Sequence, residues 1–437
     1  MSSEVLQSPP LEGDAPLPSP TENKVLPLPD LNATDELPGS AFEGTVLLKE
    51  GRDGPARAGH PWIFSGAVAG VEGTPLPGAF VRVVRGDGVV LGIGSWNPRG
   101  SIALRMFTRA ECPIDADFVR TRLRDARGLR ENLGLIGADT GYRLVNAEGD
   151  GLPGVVVDVF GEFAVLQLLS AGAERLRQPL LDALVGEHRL RGVFERSAGS
   201  ARRVEGLSDV VGLAAGEEPP QEIEIDENGA RLLVDVRTGQ KTGFYLDQRG
   251  GRALVRHLAP GRRVLNAFAY TGAFAVAAAL GGATEVVSVE TSGPALDLAR
   301  RAWALNPGVA SVPADWLGAD AFEVLESECE RKRFDLIILD PPPFARHRAD
   351  LDRAMRAYRD LNRRALEALA PGGLLLTFSC SPHMSRESFS RAVAGAARPP
   401  LRIQIAAQIG HEPDHPVLPA HAEGEYLQGL LLRRALS

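Results

Sequence analysis

Four places in this 437-residue chain put a reactive side chain at the end of an apolar run. Cys380 follows GLLLTFS, inside FSCSPHM. Asp340 ends DLIILD and leads into Pro341, Pro342, Pro343 and Phe344. Glu290 ends EVVSVE, 24 residues (290 − 266) after Asn266, which opens NAFAYTGAF. Asp320 stands just before AFEVLESE. A thiolate is a nucleophile. A carboxylate followed by three prolines lies on a rigid loop with few donors of its own. Such a loop suits the grip on a planar hydrogen-bonding ring, with Phe344 available for stacking. The turn at Thr271 and Gly272 opens a helix and lets a ligand approach the backbone closely. An acid placed like Glu290 can accept from both hydroxyls of a ribose. The turn is not GxGxxG, which points away from a dinucleotide and towards a cofactor without a pyrophosphate. Asp320 reads equally well as the acceptor of an adenine amino group and as a helix N-cap. A lone cysteine is most often a buried structural residue. The carboxyl end of a central strand, beside the strand bearing Asp340, instead favours Cys380 as a nucleophile. Cys112 and Cys329 lack such a setting and read as structural or incidental.

The elements that must position these groups alternate. Strands are expected at 263–268, 285–290, 334–340, 373–380 and 401–409, with helices starting near Gly272, Ser292, Leu351 and Ser385. Continuously apolar strands imply burial on both faces and a parallel sheet. A last strand at 426–434 follows without a helix and suits antiparallel pairing in the edge region. Residues 216–437 therefore read as a doubly wound, Rossmann-like α/β domain. Residues 42–112 read as a small β-barrel, with Asp87-Gly88 as a hairpin turn. Residues 113–215 read as an α+β middle domain, opening with an arginine-rich helix from Asp117 to Gly134 and containing two strands turned at Gly161. One further helix is expected near Glu174 to Val185. Residues 1–40 hold eight prolines, seven acids and one base, Lys24. The segment 1–41 reads as a disordered acidic tail.

Composition narrows the function classes. The formal charge of −8 excludes a uniformly basic nucleic-acid coat, and the tail carries −6 of it. Three scattered cysteines support neither a disulfide framework nor a cysteine zinc site, and the chain reads as cytoplasmic. His383, His411, His415 and His421 show no metal-ligand spacing, so no metal is expected. The uncharged run 264–284 is long enough to span a bilayer. Asn266, Tyr270, Thr271, Gly272, Gly281 and Gly282 break it where a strand would hand over to a helix. Basic residues are 44 arginines against Lys24, Lys49, Lys241 and Lys332. A lysine kept against that bias is mildly informative.

Together, NAFAYTGAF, DPPPF and FSCSPHM, with TGQKTGFYLDQRGGR upstream, resemble the class I S-adenosylmethionine (SAM)-dependent methyltransferases. More narrowly they resemble the bacterial large-subunit ribosomal RNA cytosine methyltransferase I family, which methylates carbon 5 of a 23S rRNA cytosine. DHPV…EGEYLQGLLLR, YRLVNAEGDGLPGVVVD and GHPWIFSGAV are similar to the same family, the last within a segment resembling a PUA RNA-binding domain. The resemblance runs from about Phe42 to the end. The acidic tail is extra, and Ala273 stands where a third small glycine is common. The resemblance implies SAM as cofactor, held by Thr242, Phe244, Asp247, Gln248, Asn266, Phe268, Tyr270, Thr271, Gly272, Glu290, Asp320 and Asp340. It implies Cys380 as the catalytic nucleophile, with Asp340 the candidate partner of ring nitrogen 3.

RNA, most specifically 23S rRNA, is the expected partner, with no DNA and no membrane, and the reading leaves room for a homodimer. Arg82, Arg85, Arg99, Arg105 and Arg109 cluster in the barrel. Arg120, Arg124 and Arg127 share a helix face that could track phosphates, or else pair with Asp117, Asp125 and Glu131. Two rivals remain at this stage. One is a methyltransferase of another acceptor, which would not need Cys380; the other is a non-catalytic RNA-binding or assembly factor.

Overall fold

Alternating apolar residues build the first sheet. A computed structural model describes residues 42–331, 333–345 and 348–435, so the expected acidic tail lies outside the described residues. Strands β1 (Gly44–Leu48), β2 (Trp62–Phe64), β3 (Val68–Gly73), β4 (Phe80–Val84), β5 (Val90–Trp96) and β6 (Ile102–Thr108) pair in the order β2-β6-β5-β4-β1-β3. Every second side chain points inward, and Val46, Leu48, Val81, Val83 and Leu104 meet in one core. The expected hairpin joins β4 to β5. Gly88 takes φ +86° there, a region favoured by glycine.

The middle sheet has β7 (Gly141–Asn146), β8 (Val155–Phe160), β9 (Phe163–Leu168), β10 (Gly192–Ser197) and β11 (Val210–Gly216), in the order β11-β10-β9-β8-β7. All six residues of β8 are buried. Val155, Val157 and Val159 pack with the helix Ala116–Asn132 through Val119 and Leu123. Phe160 packs with the following domain. The single helix expected near Glu174 is two, Ala171–Glu174 and Arg177–Gly186. Pro179 explains the break. Proline is tolerated in a helix's first turn, whereas in an interior it clashes with the carbonyl four residues back.

A hairpin, β12 (Ile223–Glu227) and β13 (Ala230–Val234), and a helix, Arg249–Leu258, precede the third sheet. Neither was expected. The sheet itself has β14 (Arg263–Ala267), β15 (Glu285–Val289), β16 (Ala314–Leu317), β17 (Phe334–Leu339), β18 (Leu369–Ser379), β19 (Ile403–Ile409) and β20 (Gln428–Arg434). Their order is β16-β15-β14-β17-β18-β20-β19. β14 to β18 are parallel; β20 inserts antiparallel between β18 and β19, one strand in from the edge. Chain direction across the sheet reverses at β14, so a crevice opens beyond its carboxyl end. The uncharged run becomes β14, a loop and the helix Ala273–Leu280. Among the described residues no helix is long and apolar enough to cross a membrane.

Buried ion pairs bind these parts. Arg130 is fully buried and bonds both oxygens of Asp150 at 2.6 and 2.8 Å. It also bonds the carbonyls of Arg143 at 2.7 Å and Asp414 at 2.6 Å. Replacing it by methionine would strand Asp150 without its guanidinium, at a cost of about 3–5 kcal/mol. Urea unfolding of Arg130→Met should show that loss; a change below about 1 kcal/mol would mean the pair is not holding the helix.

Candidate active site

The carboxyl ends of the sheet open into a cavity of about 390 Å³. Phe268, Tyr270, Thr271, Glu290, Asp320, Asp340, Phe344 and Cys380 line it, with Phe244, Asp247 and Gln248 from the segment ahead of the sheet.

The loop after β14 is held in an unusual path. Phe268 (φ +62°) and Tyr270 (φ +46°) adopt left-handed backbone, costly for residues with a Cβ unless their surroundings enforce it. Glu290 does so. Its two oxygens accept from the backbone N–H of Tyr270 at 3.0 Å and of Ser292 at 2.9 Å. Each carboxylate oxygen keeps further acceptor capacity for a ligand hydroxyl. The Tyr270 hydroxyl accepts from Gln240 N–H at 2.8 Å and donates to the Gly243 carbonyl at 3.2 Å. It thereby straps the two loops together. Gly272 takes φ +75°, and a Cβ there would lie 2.8 Å from that of Ala299. Asp320 combines its two readings. One oxygen caps the helix Ala321–Glu328 by accepting from Phe322 N–H at 2.7 Å, and the residue also lines the cavity.

Deeper in, charge is unevenly shared. Asp247 is buried and bonded by the Lys241 ammonium and by the Tyr426 hydroxyl at 2.6 Å. Burial alone would raise its pKa, but Lys241, the nearby His415 and Tyr426 hold it well below the usual carboxylate range. Asp340 receives only an amide, Gln248 Nε2, at 2.9 Å. Burial, reinforced by the charge on Asp247, pushes it up to about 7 against the opposing pull of Lys241. Cys380 donates weakly to the Pro341 carbonyl at 3.7 Å. Burial, then Asp340, pushes its thiol up to about 12. Before any ligand enters, the cavity therefore holds a protonated thiol beside a carboxyl poised near neutrality.

The wall is rich in acceptors. Asp247 Oδ1 and Gln248 Oε1 are buried with no partner among the described residues, a cost that a ligand's donors would remove. SAM is donor-rich and cationic: a sulfonium, an ammonium, two ribose hydroxyls and an adenine amino group. These residues fit it.

Three expected cofactor residues do not line the cavity. Thr242 is buried and donates to Asp158 of β8 at 2.6 Å, tying the segment to the middle sheet. Asn266 is wholly buried in β14. Gly272 serves the turn. The arginine track also needs correcting. Arg105 bonds Glu148 at 3.1 Å and Glu205 at 3.0 Å with little exposure, so it fastens the barrel to the middle region. Arg120 pairs with Asp117 and Glu187, and Arg127 with Glu131. Arg124 is exposed and has no ion pair among the described residues. Sequence reasoning gave no role to Lys241 or Tyr426, although TGQKTGFYLDQRGGR and EGEYLQGLLLR contain them and the scarcity of lysine marks the first; Tyr245 falls within the stretch from Phe244 to Gln248 that the resemblance implies for the cofactor.

A family model for S-adenosylmethionine-dependent methyltransferases matches residues 206–431, and one for a PUA-like domain matches residues 46–109. The ribosomal RNA large subunit methyltransferase I of Erwinia tasmaniensis is 44% identical over 391 residues, 89% of this chain and 98% of that protein. The protein of the same name from Salmonella arizonae is 43% identical over 89% of this chain and 97% of its own length. A solved chain from Streptococcus mutans described as a SAM-dependent methyltransferase shares the fold, with a TM-score of 0.77 at 22% identity over 89% of this chain and 99% of that one.

Asp340 supplies a pH test. A carboxyl whose folded pKa is raised binds more protons folded than unfolded between about pH 4 and 7, so its contribution to stability falls as pH rises through that window. Asp340→Asn removes the penalty. Its melting temperature should exceed that of the unsubstituted protein by roughly 2 °C or more at pH 8, and by less at pH 5. An identical difference at both values would show that Asp340 is ionised throughout.

Proposed function

Because this chain belongs to the ribosomal RNA large subunit methyltransferase I family of S-adenosylmethionine-dependent methyltransferases, we propose that it forms 5-methylcytosine in 23S rRNA, in the cytoplasm, through a covalent cysteine–RNA adduct. The observation that carries this reading is the thiol of Cys380 sharing one acceptor-lined cavity with a carboxyl, Asp340, that holds its proton near neutrality.

Carbon 5 of cytosine is a weak nucleophile, and covalent addition at carbon 6 divides one hard step into easier ones. Cys380 Sγ gives its proton to water as it bonds carbon 6. The displaced ring pair makes carbon 5 enamine-like as nitrogen 3 gains a proton. Asp340 supplies that proton, since nitrogen 3 of cytosine is an acceptor and a protonated carboxyl donates. In uracil nitrogen 3 bears a hydrogen and offers no such acceptor, so the same pKa favours cytosine. Bound SAM supplies an electrophilic methyl group on a sulfonium. A base, either Asp340 or an ordered water, then removes the carbon-5 proton, and the Cys380 sulfur leaves with the carbon–sulfur pair and takes up the proton that nitrogen 3 releases. The target base must leave its stack to enter, and Phe344 at the cavity wall offers it an aromatic face.

RNA contacts are proposed for arginines not spent on the protein's own acids. Arg109 and Arg122 line a second cavity of about 410 Å³ between the barrel and the helix Ala116–Asn132. Neither has an ion pair among the described residues, and Arg122 Nε is buried with no partner. Glu148 and Asp150 on the same wall are already bonded by Arg105 and Arg130. Arg124 is exposed on the same helix.

Cys380→Ser should cut 5-methylcytosine formation by about a thousandfold or more while the protein still binds S-adenosylhomocysteine. Mass spectrometry of rRNA digests reads the product, and near-normal turnover would end the covalent reading. Replacing Arg109, Arg122 and Arg124 by glutamine together should flatten the logarithmic salt dependence of RNA binding by about 2 units. Arg120→Gln should leave the slope alone; equal slopes for both variants would place the RNA elsewhere.

A further inference from the structure

One cation of the cavity has no task in that sequence of steps. Among the described residues two cationic side chains line the wall, Lys241 and Arg252. Arg252 is buried, its guanidinium taken by both oxygens of Glu227 and by the Tyr245 carbonyl. Lys241 is different. About a third of its side chain (31%) is open. Its ammonium is fixed by Asp247, 4.5 Å from the centre of the Tyr245 ring and 5.5 Å from that of Tyr426. An ammonium has three donors; the carboxylate takes one, and ring faces are weaker acceptors than a ring carbonyl.

The backbone holds the residue there on purpose. Lys241 has φ +51°, a conformation that persists for a long side chain only where its surroundings over-determine it. The strap from Gln240 through the Tyr270 hydroxyl to Gly243 provides that constraint on both flanks. The positive charge also acts on the reacting groups, opposing the effect of burial at both Asp340 and Cys380.

We propose that Lys241 is a catalytic residue that donates to the oxygen on carbon 2 of the target cytosine and offsets the negative charge gathering there as Cys380 adds to carbon 6. The inference rests on the covalent cytosine reading. The electrons balance without a redox partner. The Cys380 proton passes to water, the sulfur pair forms the bond to carbon 6, and the carbon 5–carbon 6 π pair moves into the ring. The resulting charge spreads over carbon 5, nitrogen 3 and the carbon-2 oxygen. Asp340 protonates nitrogen 3, and Lys241 keeps its proton throughout. When the cysteine leaves with the carbon–sulfur pair it takes up the proton that nitrogen 3 releases, and the bond to the oxygen relaxes. A donor already aimed at the site of developing charge is what makes such stabilisation effective in a partly desolvated cavity.

The same ammonium could instead hold the carboxylate of the bound cofactor, and the test separates the two. RNA carrying 5-fluorocytidine traps the adduct, because fluorine cannot leave as a proton does. Adduct formation and S-adenosylhomocysteine affinity are measured for the unsubstituted protein, Lys241→Met and Lys241→Arg. Lys241→Met should bind the nucleoside within about threefold of normal and form adduct about 100-fold more slowly at saturating SAM. Lys241→Arg, which keeps the charge, should recover part of the rate. The inference is overturned if Lys241→Met forms adduct at near-normal rate. It is also overturned if that variant loses about tenfold or more in nucleoside affinity with its saturated rate intact, which assigns the ammonium to the cofactor carboxylate. Should Lys241→Met fail to fold, a folded Lys241→Arg with no adduct at all overturns it. No adduct with the unsubstituted protein would sink the cytosine reading itself, a result distinct from each of these.

Discussion

Of the cavity's carboxylates, Asp247 and Asp340 lie deepest, beside the one accessible ammonium among the described residues, and the state of each reactive group follows from that shortage. Asp247 takes Lys241 and the Tyr426 hydroxyl and remains an anion. Asp340, left with the neutral amide of Gln248, is pushed upward by burial and by its charged neighbour. Two buried like charges cannot both ionise cheaply, so the pair divides into a fixed anion and a proton-holding acid. Cys380 then sits beside a group able to exchange a proton near neutral pH, without needing a histidine. The division comes from placement rather than residue type, since both groups are aspartates.

That placement depends on regions far from the sheet. Tyr426 reaches Asp247 from the segment before β20, and the start of that segment is anchored by Asp414. Its carboxylate is buried, accepts from Arg143 N–H at 3.0 Å and from the Arg249 guanidinium, and pairs with His415 at 2.8 Å. Arg143 bonds Asp158, and Asp158 accepts from Thr242, the residue next to Lys241. The middle sheet therefore sets the path of the loop that carries the ammonium. The barrel joins through Trp62, whose indole donates to Glu148 at 2.7 Å, and through Arg105. Buried ionic contacts of this kind add little net stability compared with apolar packing. They do hold three segments in one register, which apolar contacts would fix less sharply.

Much of the third sheet was legible because its signals are local. DLIILD, EVVSVE and GLLLTFS are unbroken apolar strands, and Ser292, Asp320 and Ser385 cap the helices beginning there. Residues at the ends of those strands had to converge once the strands were parallel. The failures share a cause as well. The helix Arg249–Leu258 contains two glycines and three arginines and buries Arg249, Gly251 and Arg252. Its first half packs through ion pairs, and Leu254, Val255 and Leu258 of its second half join the apolar core, a stretch too short to mark the whole helix. Arg105 looked like an RNA contact because its acids, Glu148 and Glu205, lie 43 and 100 residues away. The hairpin β12–β13 was readable in principle, since Asn228-Gly229 between apolar runs favours a tight turn.

The choice of cation follows the same physics. A guanidinium is a planar fork that bridges two acids at once. Arg105 does this with Glu148 and Glu205, and Arg191 with Glu162 and Glu217. Such pairings take Arg105 and Arg191, among others of the 44 arginines, out of the set open to RNA. At position 241 the demands differ. One donor must meet Asp247, the charge must lie against the rings of Tyr245 and Tyr426, and a donor must remain for the cavity. A compact ammonium on a flexible stem can divide itself in three directions, whereas the fork would commit its donors to one plane. A lysine surviving at this position, where arginine otherwise prevails, is what that geometry requires.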